Sequence, residues 1–322
     1  MVELENLTPP AVRKLKVESG KWKSGPACTK AISRIFNKAG KDWGDLLYNY
    51  HMDILEQIVA SKRKEIERFR VMSPVERFEK EGFFWEIRNR SLVQQLLLPG
   101  SNGIIAEFKR KSPSKGWFKT KELEVEPVVT SYNKYAAGIS VLTDDPFFGG
   151  DLDDLIQTKV ISDIPVLRKD FIIDQWQIAE AKAFGADVIL LIAACLTPAE
   201  VKQFAGYAAS IGLESILEVH NEAELGHCCD EVSMVGVNNR NLKTFEVDIN
   251  TSLELIRHIP AGKPAIAESG ISTPAAIVTL RQAGFRGFLI GERFMKEEQP
   301  GKAFEQFVGN LNEETGIRNE AS

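Results

Sequence analysis

Residues 104–118 read IIAEFKRKSPSKGWF. Ile104, Ile105 and Ala106 form a short apolar run of the kind that starts a buried strand. Glu107 and Lys109 follow two residues apart, so both side chains leave the same side of that strand. Unpaired charges are costly inside a core, so an acid and a base aimed inward need a reason. Directly after them the chain opens into a basic Ser/Pro/Gly loop, Lys111 to Gly116.

Outward from this stretch the same kind of run recurs. After IIAEFK (104–109) come ISVLTD (139–144), PVLRKD (165–170), VILLIA (188–193) and SILEVH (215–220), then MVGVNN (234–239), PAIAESG (264–270) and GFLIGE (287–292). Nearly continuous apolar runs suit parallel strands buried on both faces, and helix-like stretches lie between them. Thr197-Pro198-Ala199-Glu200 is a capping-box-like start followed by Val201, Phe204, Ala205 and Ala208, and Thr273-Pro274 opens another helix. Gly185, Gly212 and Gly284 fall where helices should end before strands begin. Eight βα units in succession predict an α/β fold of the (β/α)₈ TIM-barrel class. The rival, an open doubly wound sheet, lacks a GxGxxG after its first strand.

Ahead of the barrel, MDILEQIVASKRKEIERF (52–69) aligns Ile54, Leu55, Ile58, Val59 and Ile66 on one helical face, with charge expected on the other. SLVQQLLL (91–98) is a second helical stretch. These additional N-terminal helices are expected to cover the barrel's end or wall, giving one barrel domain over 52–322 that includes the helices of 52–100. Residues 1–51 are rich in Lys and Arg with little periodicity. They are expected to be either a poorly ordered appendage or an upstream reading-frame extension preceding Met52.

Composition narrows the function. The chain of 322 residues is 43% hydrophobic and 26% charged, with a net charge of −5 and no overall drive toward nucleic acid or anionic membrane. No apolar run nears the roughly 20 residues that cross a bilayer, and no signal peptide opens the chain. Cys28, Cys195, Cys228 and Cys229 form no CxxC pair, and His51, His220, His227 and His258 show no metal-ligand spacing. A cytoplasmic, metal-free protein is expected.

Active sites of such barrels lie at the carboxyl ends of the strands. Those ends collect Glu107 and Lys109, Lys169 in VLRKD, Glu218 in ILEVH, Asn238 with Arg240 in VGVNNRNL, and Glu268 with Ser269 in IAESGIS. Any one of them reads equally well as a structural charge in a buried ion pair. Three carboxylates and two ammonium groups in one cavity would shift one another's pKa values and make acid and base roles available. The turns Ser269-Gly270-Ile271-Ser272 and Ile290-Gly291-Glu292-Arg293 put a glycine after each of the last two strands, where (β/α)₈ barrels often bind phosphate. Ser112 in the opening loop lies within reach of the same anion. His220, two residues past Glu218, reads as a rim residue outside the chemistry.

Together, IIAEFKRKSPSKG, VLTDDPFFGG, VLRKDFIID, LEVHNEAEL, VGVNNRNLKTF and IAESGI resemble the indole-3-glycerol-phosphate synthase family of tryptophan biosynthesis, in order from about Met52 to Leu311. The resemblance implies a barrel with extra N-terminal helices, no metal and no organic cofactor. It implies a carboxy-lyase that converts 1-(2-carboxyphenylamino)-1-deoxyribulose 5-phosphate to indole-3-glycerol phosphate, carbon dioxide and water. By the same resemblance Lys169 and Lys109 are the proton donors, in an order left open, and Glu218 stabilises the cationic intermediate and assists proton removal at dehydration. Glu107 positions the lysine and the substrate hydroxyls, Asn238 and Glu268 orient the substrate, and Arg240 meets the anthranilate carboxylate. Ser112, Ser269, Gly270, Gly291 and the backbone of Glu292 fall at the phosphate. Phe148, Phe171, Leu190 and Leu242 wall the aromatic pocket or belong to the core. The expected partner is a small phosphorylated substrate, with the chain a monomer or weak homodimer. Phosphoribosylanthranilate isomerase, the nearest enzymatic rival, calls for a Cys at the first strand end, where Glu107 and Lys109 stand; a non-catalytic phosphate-binding barrel would not need the two lysines.

Overall fold

The computed structural model describes residues 53–316, so the expectation for residues 1–51 falls outside the described residues. Eight parallel strands close into a barrel. They are β1 Ile104–Phe108, β2 Gly138–Leu142, β3 Val166–Lys169, β4 Val188–Ile192, β5 Glu214–Val219, β6 Met234–Asn238, β7 Ala265–Glu268 and β8 Gly287–Ile290. Each falls within one residue of a run read from the sequence. Closure is made by β1, which pairs with β8 through Ile104↔Phe288 and with β2 through Glu107↔Ser140.

Strand alternation divides each run between two layers. Side chains such as Ile104, Ala106, Val141, Ile189 and Leu217 meet the surrounding helices in the outer core. Ile105, Leu167, Leu190, Ile216, Met234, Ile266 and Leu289 fill the barrel's interior. Two residues further along the same columns stand Glu107, Lys169, Glu218, Gly236, Glu268 and Gly291. The interior is therefore apolar below and charged above.

The helix caps follow the sequence signals. Thr197 and Glu200 form a reciprocal capping box, and the Thr273 side chain accepts from the Ala276 amide. Three helices precede the barrel: α1 Ile54–Met72, α2 Val75–Glu81 and α3 Leu92–Leu97. Helix α3 floors the barrel, because its Leu92 and Leu96 join the interior layer; burying each contributes about 1.5–3 kcal/mol. Ile66 of α1 and Phe78 of α2 pack on Trp176, Ala179 and Ala183 of the helix Gln175–Ala183, covering the wall.

One expectation for α1 is corrected. Lys62, four residues after Ile58 and four before Ile66, lies on the buried face rather than the charged one. The burial is tolerated because its ammonium meets three carboxylates: Glu65 at 3.0 Å, Asp144 at 3.2 Å and Asp170 at 3.1 Å. Burial alone would lower the Lys62 pKa, but the facing aspartates outweigh it and raise it.

Candidate active site

The charged layer opens into a cavity of about 420 Å³, within the range typical of small-molecule sites. Every residue singled out at the strand ends and in the phosphate turns lines it: Glu107, Lys109, Ser112, Lys169, Glu218, Asn238, Arg240, Glu268, Ser269, Gly270, Gly291 and Glu292. So do Phe148, Phe171, Leu190 and Leu242. Phe148 and Phe171 face each other with ring centroids 5.9 Å apart, while Leu190 is both cavity floor and fully buried core.

Lys169 is central. Its Nζ donates to Glu218 Oε2 at 2.9 Å and lies 3.4 Å from Glu268 Oε2. Lys109 pairs separately with Glu107 Oε1 at 2.5 Å. Burial would strip the proton from Lys169, but Glu218, Glu268 and Glu107 together raise its pKa well above the ordinary value, so it is an ammonium at neutral pH. The two carboxylates beside it are driven apart. Burial would raise Glu218, yet Lys169 and His220 pull it far below the usual range. Glu268 is pushed up to about 7 by burial and by its acidic neighbours, against the pull of Lys169. Titratable neighbours whose pKa values diverge are the usual basis for distinct acid and base roles.

Two glycines make room for this cluster. A Cβ on Gly291 would overlap the Glu107 carboxylate, and one on Gly236 would overlap Oε1 of Glu268. Gly291, expected to let an anion approach, also makes room for Glu107 of the neighbouring strand β1, which pairs with β8 through Ala106↔Ile290. In the preceding turn Ser269 and Gly270 both take left-handed backbone, with φ of 67° and 76°. That conformation is uncommon for a serine and recurs at functional sites. Ser112, nearly buried, aims a hydroxyl with no protein partner at the same cavity, and Glu268 Oε1 is likewise unpartnered.

Arg240 stands at the rim, 3.6 Å from Glu292, whose other oxygen takes Lys115 of the first loop at 2.5 Å. The loop after β1 is more ordered than a plain connector: Lys111–Ser112 pairs with Gly116–Trp117 in a small hairpin. Its root is tied by buried Arg110, which holds Asp154 and the Leu123 carbonyl.

Several contributors were not anticipated. Ile54, Leu55 and Ile58 of α1 line the cavity, so the N-terminal helix supplies part of its wall. The signal was present in the apolar stripe, but periodicity does not say which cavity a stripe faces. His220 does not line the cavity; it lies behind Glu218, its Nε2 3.3 Å from Oε1. Among the described residues no group of three or more His, Cys, Asp or Glu is arranged to hold a metal ion, and no helix is long and apolar enough to cross a membrane.

Comparison with known proteins adds a family. A family model described as indole-3-glycerol phosphate synthase matches residues 55–307. The indole-3-glycerol phosphate synthase of Bacteroides thetaiotaomicron is 44% identical over 257 residues, covering 80% of this chain and 98% of that protein. The one from Variovorax paradoxus is 41% identical over 259 residues, covering 78% and 97%. Among solved structures, a variant of the tryptophan synthase α-subunit from Pyrococcus furiosus superposes with a TM-score of 0.51 at 16% identity, covering 66% of this chain and 98% of that one, a likeness of fold alone.

Proposed function

This chain belongs to the indole-3-glycerol phosphate synthase family, and from that premise we propose how its residues divide the reaction. The enzyme is a carboxy-lyase of tryptophan biosynthesis. It closes the ring of 1-(2-carboxyphenylamino)-1-deoxyribulose 5-phosphate, releasing carbon dioxide and water, to give indole-3-glycerol phosphate.

The chemistry asks for acids and carboxylates in defined places. The ring carbon bearing the carboxylate attacks the ribulose carbonyl, and its oxygen must gain a proton as it becomes a hydroxyl. Loss of carbon dioxide restores the aromatic ring. Departure of the hydroxyl as water, pushed by the aniline nitrogen, needs a second acid and a base for the proton that is lost. Lys169 and Lys109 are assigned as the two proton donors. An ammonium clamped by carboxylates resists deprotonation in the free site; a developing alkoxide is basic enough to take its proton. Glu218, held ionised, is assigned to the cationic intermediate and to proton removal at dehydration. Glu107, Asn238 and Glu268 orient the substrate. Ser112 and the turns at Ser269-Gly270 and Gly291-Glu292 are assigned to the phosphate, Arg240 to the anthranilate carboxylate, and Phe148, Phe171, Leu190 and Leu242 to the ring.

The observation that carries these roles is the Glu218–Lys169–Glu268 cluster at the floor of a pocket whose wall is aromatic and apolar. The test is direct. Purified protein given the carboxyphenylamino-deoxyribulose phosphate should develop indole fluorescence without added metal or cofactor; no fluorescence from folded protein would refute the reading. We further assign a single barrel domain with its N-terminal helices, a cytoplasmic location, and a monomeric or weakly dimeric state that sedimentation would check.

A further inference from the structure

The end of β5 carries a residue that the reaction scheme leaves unused. His220 is part-buried directly behind Glu218, with a carboxylate at each ring nitrogen. Nδ1 lies 3.1 Å from Glu224 Oε2, which also accepts the His220 backbone amide at 2.8 Å. Nε2 is buried, and its nearest acceptor is Glu218 Oε1 at 3.3 Å, off the line of a hydrogen bond but within ion-pair distance. Glu224 is itself fixed by Asn221, whose side chain donates to Oε1 at 2.7 Å and accepts the Glu224 amide at 3.1 Å. A neutral imidazole has one nitrogen without hydrogen, which here would point a lone pair at a carboxylate oxygen. Only the doubly protonated ring suits both neighbours.

The need for such a cation follows from Lys169. In the free site Glu218 Oε2 is neutralised by Lys169, and Oε1 receives only Asn238 Nδ2, at 3.0 Å, besides His220. A proton leaving Lys169 removes the principal counter-charge of a carboxylate that is almost wholly buried, with Glu268 and Glu107 nearby. A buried carboxylate left alone is strongly disfavoured. The second cation on Oε1 does not take part in the transfer and stays.

We propose that His220 is a positioning residue for this reaction: held as an imidazolium between Glu224 and Glu218, it fixes Oε1 and keeps Glu218 ionised while Lys169 gives up its proton. The inference rests on the role assigned to Glu218. The charged and titratable groups around the ring are Glu218 at the end of β5, Glu224 on the loop after it, Lys169 of β3 beyond Glu218, and the Cys195 thiol after β4, which burial and the Glu218 and Glu224 carboxylates push up to about 12. Burial would lower the imidazole, but its contacts with Glu218 and Glu224 raise it to about 9, in accord with the geometry.

The experiment joins an NMR titration of the His220 ring, in the unaltered protein and in Glu224→Gln, with kinetics of two further variants. In the unaltered protein the ring should titrate near pH 9, and Glu224→Gln should bring the midpoint down by about one unit or more. His220→Gln should lower kcat by about tenfold or more, change KM by less than about threefold, and lose the alkaline limb that follows the ring. A ring that titrates near its ordinary value of about 6.5 overturns the inference, whether or not the variant folds. So does a His220→Gln enzyme with unchanged kcat and pH profile. Glu218→Gln separates the two levels: if it is inactive while His220→Gln is normal, only the present inference fails, whereas near-normal Glu218→Gln removes the role of Glu218 itself.

Discussion

Lys169 and Gly291 mark two ways in which single residues serve this site, one by charge and one by having no side chain. Lys169→Ala removes the ammonium that balances Glu218 and Glu268. Because the task of that ammonium arises mainly in the transition state, kcat should fall by about a thousandfold or more with a much smaller change in KM. Single-turnover kinetics followed by indole fluorescence would check this, and near-normal turnover would remove Lys169 from the mechanism. Gly291→Ala puts a methyl group where the Glu107 carboxylate lies. It should displace Glu107 from Lys109 and lower kcat/KM by about tenfold to a hundredfold, since misplacing a group by about 1 Å is enough. Far-UV circular dichroism should stay unchanged, which separates a local clash from misfolding.

At the scale of elements, the N-terminal helices are part of the active-site architecture. Through Lys62, α1 grips the loops after β2 and β3. Asp144 caps the turn Asp145–Phe148 by accepting the Phe147 amide, and Asp170 accepts the amide of Phe171. The same Asp170 meets Arg168, itself paired with Glu180, so one buried network ties both aromatic walls to the helix. Removing one partner leaves buried carboxylates without their cation. Lys62→Met should therefore destabilise the fold by about 3–5 kcal/mol, read as a lower urea midpoint. Turnover in the surviving folded protein should drop as Phe148 and Phe171 lose their anchor; a midpoint equal to that of the unaltered protein would show that the network contributes nothing net.

Across the whole molecule, these buried carboxylates set the response to acid. Burial would raise Asp170, but Lys62 and Arg168 draw it well below its ordinary value. A carboxylate with a depressed folded pKa stabilises the fold at pH values above its unfolded pKa, and that stability is lost as the pH falls further. Glu268 acts in the opposite sense: raised to about 7, it favours the fold at low pH and loses that contribution as the pH rises through 7. The urea midpoint should consequently fall on acidification from about pH 5 to pH 3, where Asp170 and Glu218 dominate. The slope should be shallower in Lys62→Met, where Asp170 has lost its chief cation; an identical slope would detach acid sensitivity from this network.

The alternation of apolar strands and capped helices was legible directly, because continuous apolar runs and capping chemistry are local properties of the chain. So was the acid and base content of the strand ends, since Glu107, Lys169, Glu218 and Glu268 stand two residues above apolar interior positions and Lys109 two above Glu107 in the same column. Lys62 left a local trace, a charge in an apolar stripe, but its meaning lay in Asp144 and Asp170, more than eighty residues away along the chain. His220 left none: whether a histidine at a strand end faces solvent or a carboxylate depends on the packing behind it. The sequence by itself determined which side chains each strand carries upward into the barrel mouth, because that follows from parity along a single strand. Only the tertiary structure decided which cation neutralises which carboxylate and which glycine yields space to a side chain of the neighbouring strand, because those pairings depend on the register at which eight separate strands close.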